Sequence, residues 1–152
     1  MKKLKIKRII DAPIDKVWQA FTTQQMLSKW WSPIGMTSSH ITVDLREGGN
    51  FKFCFEGREG EFWGRGEYRE LKKPTKLSYY DTFSDKEGNP VPPSFYGMPG
   101  DNIEKLLVEI ILRKQGEKTI MVFSGDNPYD KKMTADMTKG WNSMFDKLDS
   151  VL

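Results

Sequence analysis

Apolar positions follow two different periods along the chain. From Lys131 onward, Met133, Met137, Trp141, Met144, Phe145, Leu148 and Leu152 recur four, four, three, one, three and four positions apart. This is one apolar stripe along roughly six turns of α-helix. Between Ile41 and Gly125 apolar and polar residues alternate instead, which predicts short antiparallel strands. One long amphipathic helix must therefore bury its stripe against one antiparallel sheet.

The remaining elements follow from local signals. Leu4–Asp11 alternates and reads as a strand. Pro13 and Asp15 suit a first helical turn, with Val17, Trp18 and Phe21 on the apolar side of that short helix. Thr22 and Gln25 fit a capping box for a second short helix, which ends near Trp30 and Trp31 before Pro33 and Gly35. Ile41, Val43 and Leu45 then alternate with Thr42 and Asp44, and Gly48 and Gly49 mark a turn. Phe51, Phe53 and Phe55 share one face, opposite Lys52, Cys54 and Glu56. Further strands are expected at Glu61–Leu71, Leu77–Phe83, Ile103–Lys114 and Lys118–Ser124. Asn127 and Pro128 read as the cap and first turn of the last helix. The stretch Ser84–Asn102 breaks the spacing with Pro90, Pro92, Pro93 and Pro99, yet it carries Phe95, Tyr96 and Met98. Such a loop either docks on the edge of its own core or forms a flap over a cavity mouth.

Length and composition narrow the picture. A chain of 152 residues is expected to be one domain, residues 1–152, burying about two thirds of its unfolded surface without a disulfide or metal staple. Net charge is +3, with 24 basic and 21 acidic residues, which argues against a nucleic-acid partner. Five of the first eight residues are basic, but they alternate with Leu4 and Ile6 as in a solvated edge strand. No apolar run is long enough to span a membrane and no secretion signal opens the chain, so a cytoplasmic location is expected. Cys54 is the only cysteine and reads as a buried structural thiol. His40 is the only histidine and is expected at an exposed strand edge. One His and one Cys do not make the usual zinc site, so no metal and no cofactor are expected. No nucleophile elbow or P-loop occurs, and Gly64-Arg65-Gly66 falls within a strand instead of a strand-to-helix turn.

The element order is that of a helix-grip fold, of class α+β: a curved antiparallel sheet wrapped around a long C-terminal helix, with two short helices after the first strand. The segment from Ala12 through Pro13, Val17, Trp18 and Phe21 to Thr22 resembles the opening motif of the SRPBCC superfamily (START and birch-pollen-allergen-like). Lys29-Trp30-Trp31-Ser32-Pro33, Val43 through Gly48-Gly49 to Phe51, the loop Gly88–Pro93, and Gly140-Trp141 are similar to the branch related to the activator of the ninety-kilodalton heat-shock chaperone ATPase. The resemblance implies the fold. It also implies a range of roles, from ligand carriers to polyketide cyclases and chaperone regulators, so function has to come from the site. Gly140, inside the helix, costs about 1 kcal/mol relative to Ala, which suggests close backbone packing there.

A sheet bent round a helix leaves a gap. A dry void of about 300 Å³ would cost on the order of 7 kcal/mol, so rings, water or a ligand must fill it. Phe51, Phe53, Phe55, Phe62, Tyr68, Tyr79, Phe83 and Trp141 are the bulky inward candidates, with Gly64 and Gly66 opening room beside them. Trp30, Trp31, Met137 and Met144, together with Phe95 and Tyr96 at the mouth, complete the expected ligand-binding set. For any one of these, ordinary core packing is the plain alternative. Asp81 shares parity with Tyr79 and Phe83 and joins that set as its polar member, and Glu70 shares parity with Tyr68, although acids generally sit at a solvated rim. The expected function is binding of a small apolar or amphipathic molecule. The alternatives are a cyclase-like enzyme using inward polar residues and a chaperone-linked interaction protein. Leu107 and Ile111 could mark a homodimer face.

Overall fold

The computed structural model describes residues 2–152. Its elements in chain order are β1 (Lys3–Ile10), α1 (Ile14–Thr22), α2 (Gln24–Trp30), β2 (Thr37–Val43), β3 (Asn50–Gly57), β4 (Gly60–Lys72), β5 (Lys76–Phe83), β6 (Leu106–Gln115), β7 (Lys118–Asp126) and α3 (Lys131–Val151), with a single 3-10 turn at Pro93–Tyr96. The seven strands form one antiparallel sheet in the order β1-β7-β6-β5-β4-β3-β2. Chain-adjacent strands from β2 to β7 pair as hairpins, and β1 returns beside β7. The two short helices thus carry the chain from one edge of the sheet to the other. The helix-grip architecture expected from the element order is the one observed. No helix among the described residues is long and apolar enough to cross a membrane.

α3 packs by its C-terminal half. Met144, Phe145 and Leu148 are buried, whereas Met133, Met137 and Trp141 are half-buried. Polar clamps fix this half from both sides. The Arg8 guanidinium donates to Asp146 Oδ1 at 2.7 Å and Asp149 Oδ2 at 2.8 Å. Lys147 Nζ donates to Ser32 Oγ at 2.7 Å and to the Pro33 and Met36 carbonyls, each at 3.0 Å. These contacts tie the helix to β1 and to the α2–β2 connection.

Several boundaries differ from expectation for local reasons. Thr23, not Thr22, caps α2, because its extended backbone lets Oγ1 accept from the Met26 N–H, while the Thr22 hydroxyl donates back to the Trp18 carbonyl. Asp130, not Asn127, caps α3, accepting from the Met133 N–H at 2.9 Å. β2 ends at Val43, and Leu45 lies beyond it, 45% exposed, in a turn closed by Asp44 and Arg46. β6 begins at Leu106, leaving Ile103 outside the strand. Glu70 does not follow Tyr68 inward. A register shift after Tyr68 pairs it with Ser78 on the outer face, where its carboxylate meets Lys72 and Lys76. Around Gly140 an added Cβ would meet nothing within 4 Å, so close packing is not why glycine stands there.

Gly64 and Gly66 share the concave face with the large rings, as parity requires, but they do not leave open room. The rings of Phe53 and Phe51 lie directly over them. A Cβ on Gly66 would fall 2.0 Å from Phe51 Cε1, and one on Gly64 2.6 Å from Phe53 Cζ. Gly66→Ala should therefore destabilise the protein by about 1–3 kcal/mol through overpacking, read as a lower urea midpoint at unchanged slope.

Candidate functional site

Most of the space between sheet and α3 is filled. The Trp31 ring is buried there, with ring centroids 5.8 Å from Phe51, 5.9 Å from Phe53, 6.4 Å from Tyr79 and 5.7 Å from Trp141. Trp141 packs on Phe123 at 4.4 Å, and Tyr68 lies 5.3 Å from Phe51. Trp30, Trp31, Phe51, Tyr68, Tyr79 and Met144 thus form one interlocked interior, with half-buried Met137 and Trp141 packed against it. It is a ring-packed core with unspent polarity. Trp30 Nε1 donates to the Ala20 carbonyl, but Trp31 Nε1, Tyr68 OH and Tyr79 OH have no protein partner. Burial pushes the ionisation of both phenols upward, and for Tyr79 the nearby Asp81 carboxylate adds to it.

Open space lies at one end of this interior. A hollow of about 160 Å³ is walled by Phe53, Phe55, Phe62 and Phe83 from the concave faces of β3, β4 and β5. Trp63, Gly64, Thr82 and Leu106 complete the wall. Asp81, Glu104 and Tyr129 supply its polar groups. Of the residues singled out from the sequence, Phe53, Phe55, Phe62, Asp81 and Phe83 meet here.

Strand register brings Asp81 inward. It stands opposite Gly66 on β4 and Leu106 on β6, on the same face as Phe51 and Tyr79. The inward orientation that parity allowed for Asp81 is the one observed, because no bulge intervenes between Tyr79 and Asp81, and the residue is half-buried and not at a fully solvated rim. Burial raises the Asp81 carboxyl to about 7, and only the Thr82 backbone N–H opposes the shift. Tyr129 faces the same hollow from the segment leading into α3. Its hydroxyl donates to Glu104 Oε2 at 2.6 Å, and its backbone N–H donates to Asn127 Oδ1 at 3.2 Å. Burial first, then the Glu104 hydrogen bond and the Asp81 charge, raise the Tyr129 phenol. Glu104 and Tyr129 were not legible as site residues, because both lie in connections where strand parity carries no information. The one available signal was Tyr129 itself, a ring set between Pro128 and Asp130 at the crossing from sheet to helix.

The long loop docks at the wall of the hollow through one ring. Tyr96 lies 5.4 Å from Phe62 and 5.8 Å from Phe83. Its hydroxyl donates to the Ser84 carbonyl at 2.5 Å and accepts from the Trp63 N–H at 3.0 Å. Phe95, by contrast, is 58% exposed.

A second cluster sits on the other face of β2 and β3. The only histidine and the only cysteine converge there with Glu56, their donor atoms within 4.8 Å of one another. His40 lies inside β2, not before it, and takes a left-handed φ of 54° where the β2–β3 register shifts. Cys54 is buried, as expected of a strand interior, and burial raises its thiol. Ser39 Oγ already bridges the cluster, 2.9 Å from His40 Nδ1 and donating to Glu56 Oε1 at 2.7 Å. Ser39 thus links His40 and Glu56 by hydrogen bonds.

A curved sheet gripping a terminal helix, with a ring-walled hollow at one end, defines a protein of the helix-grip fold. The chain belongs to the family described as Activator of Hsp90 ATPase homolog 1-like protein, which matches residues 11–152. Solved structures with the same fold include protein Ms6760 from Mycobacterium smegmatis, 22% identical over 99% of this chain and 90% of that one, at a TM-score of 0.80. Protein CV1439 from Chromobacterium violaceum is 20% identical over 100% and 98%, at 0.81. The AHSA1 protein SPO3351 from Silicibacter pomeroyi is 16% identical over 98% and 96%, at 0.77. At these identities the likeness concerns the fold alone. Nothing among curated proteins matches the chain.

Proposed function

We propose that this protein binds a small, compact amphipathic molecule in the hollow at the Asp81 end of the sheet. One observation carries the reading: an aromatic-walled space of about 160 Å³ contains a small group of convergent polar side chains. An engineered apolar cavity of about 150 Å³ accepts benzene, so the space suits a one-ring body and is too small for a sterol or a lipid chain. The ring-packed interior beside it supports the same limit. Of the expected set, Phe53, Phe55, Phe62, Asp81 and Phe83 would touch the guest, and Tyr96 would support the wall. Trp30, Trp31, Phe51, Tyr68, Tyr79, Met137, Trp141 and Met144 would act through the fold, and Phe95 would guard the approach.

The test is a thermal-shift and ligand-observed NMR series using toluene, benzyl alcohol and longer hydrocarbons. Saturation at about a hundred times Kd should stabilise the protein by about 2.7 kcal/mol for one-ring compounds, with no gain for long chains. Equal response to every hydrophobe, or response to none, would remove the reading.

An enzyme role has one specific observation in its favour. A carboxyl raised to about 7 lines the hollow, within the range that general acid–base chemistry near neutral pH favours. Chaperone-linked association rests on the family description, and a homodimer rests on the outward Leu107 and the exposed Ile111. Neither receives further support from the hollow.

A further inference from the structure

We infer that the guest of this hollow is a small organic ammonium ion, a protonated amine on a compact apolar body. This rests on the reading above and specifies the ligand class for the same site.

Charge complementarity is the first argument. The chain carries more basic than acidic residues, 24 against 21, yet no Lys, Arg or His lines the hollow, while two carboxylates do. Both acids are half-buried, and the lining of the hollow sets no cation beside either of them. Asp81 accepts no side-chain hydrogen bond, and Glu104 has one oxygen engaged by Tyr129, leaving the other free. An ammonium group offers three donors and a full positive charge, which suits a hollow whose titratable lining groups are all acids. A neutral alcohol or ketone satisfies at most one of them, and a carboxylate ligand is repelled by both.

The wall supplies the second argument. Phe53, Phe55, Phe62 and Phe83 present rings around the same space. Ring faces attract cations, by about 0.5–2 kcal/mol depending on desolvation. Carboxylates joined to ring walls form the combination used to hold organic cations, whereas a purely hydrocarbon guest would displace water from half-buried Asp81 and offer it no partner.

The titratable groups facing Asp81 are Glu104 from the segment before β6, Tyr129 from the segment before α3, and Tyr79 on its own strand. All are acids, so an entering cation is the change that favours the ionised carboxylate. Amine binding should then strengthen as pH rises through the Asp81 transition, with protons released on binding.

The experiment compares benzylamine, benzyl alcohol, toluene and benzoate by calorimetry on the full chain, with Asp81→Asn and the double variant Asp81→Asn/Glu104→Gln alongside. Benzylamine should bind at least about tenfold tighter than benzyl alcohol or toluene at pH 8, and benzoate weakest of all. Its affinity should fall about threefold or more between pH 8 and pH 6, while that of toluene stays flat. The double variant should bring amine and alcohol within about twofold of each other while still binding toluene. If toluene and the alcohol bind but the amine shows no preference, or if the preference survives in the double variant, the inference falls and the one-ring reading stands. If none of the four compounds binds, the one-ring reading falls, and the inference with it.

Discussion

Trp31→Ala should cost about 3–5 kcal/mol, the range for deleting a large buried ring, and this is a large share of a domain's total of about 5–15 kcal/mol. Trp31 is only 3% exposed and touches rings from α2, β3, β5 and α3 together: Trp30, Phe51, Phe53, Tyr79 and Trp141. Its removal leaves a void bordered by four separate elements, none of which can collapse inward alone. Urea unfolding at neutral pH measures the loss. Trp31→Phe should recover more than half of it, because the variant also removes the unpaired Nε1 donor. A loss of under 1 kcal/mol for the alanine variant would mean that the interior repacks and that this ring is not its centre.

Asp81→Asn should have the opposite sign. The Asp81 carboxyl stands at about 7 in the folded protein, against 3.8 for the free group, because burial disfavours its charge. Between those values the folded protein holds a proton that the unfolded chain has released. Stability therefore falls as pH rises from about 4 to about 7 and is level above that window. A shift of this size corresponds to about 4 kcal/mol, and water reaching the open side of the hollow reduces it to about 2–4. The asparagine variant removes the ionisation. Its melting temperature should exceed that of the parent by several degrees at about pH 8, and the difference should shrink at about pH 5. A variant less stable than the parent at both pH values would mean that the carboxylate has a stabilising partner in the folded state.

The two periods of the sequence carried most of the architecture. The stripe from Met133 to Leu152 is α3, and the alternation Phe51-Phe53-Phe55 is the inward face of β3. Binary pattern sufficed there because each element buries one face. It failed where the strand period is broken. The register shift after Tyr68 carries Glu70 outward, and the shift between Ser39 and Thr42 places His40 within β2 with a left-handed backbone. Neither bulge leaves a mark in residue type. Phe53, Phe55, Phe62, Asp81 and Phe83 could be read as candidates from parity. Their separation from Trp31, Phe51 and Tyr79 could not, because parity tells which face a ring occupies but not how far its neighbours fill the space. Gly64 and Gly66 illustrate this, since their missing side chains are replaced by the rings of Phe53 and Phe51. The convergence of Cys54, His40 and Glu56 depends on pairing between strands and has no signature along the chain.

The hollow lies beside the ring-packed interior and not within it. Residues that hold the chain together and residues that face the open space are therefore largely different sets. Under the binding role proposed for the hollow, mutational drift at Phe55, Phe62, Asp81, Glu104 or Tyr129 would change the guest while Trp31, Phe51, Tyr79 and Phe145 keep the chain folded. One scaffold can in this way diversify its chemistry without first surrendering its stability, and an engineer can vary the same five positions as an independent module.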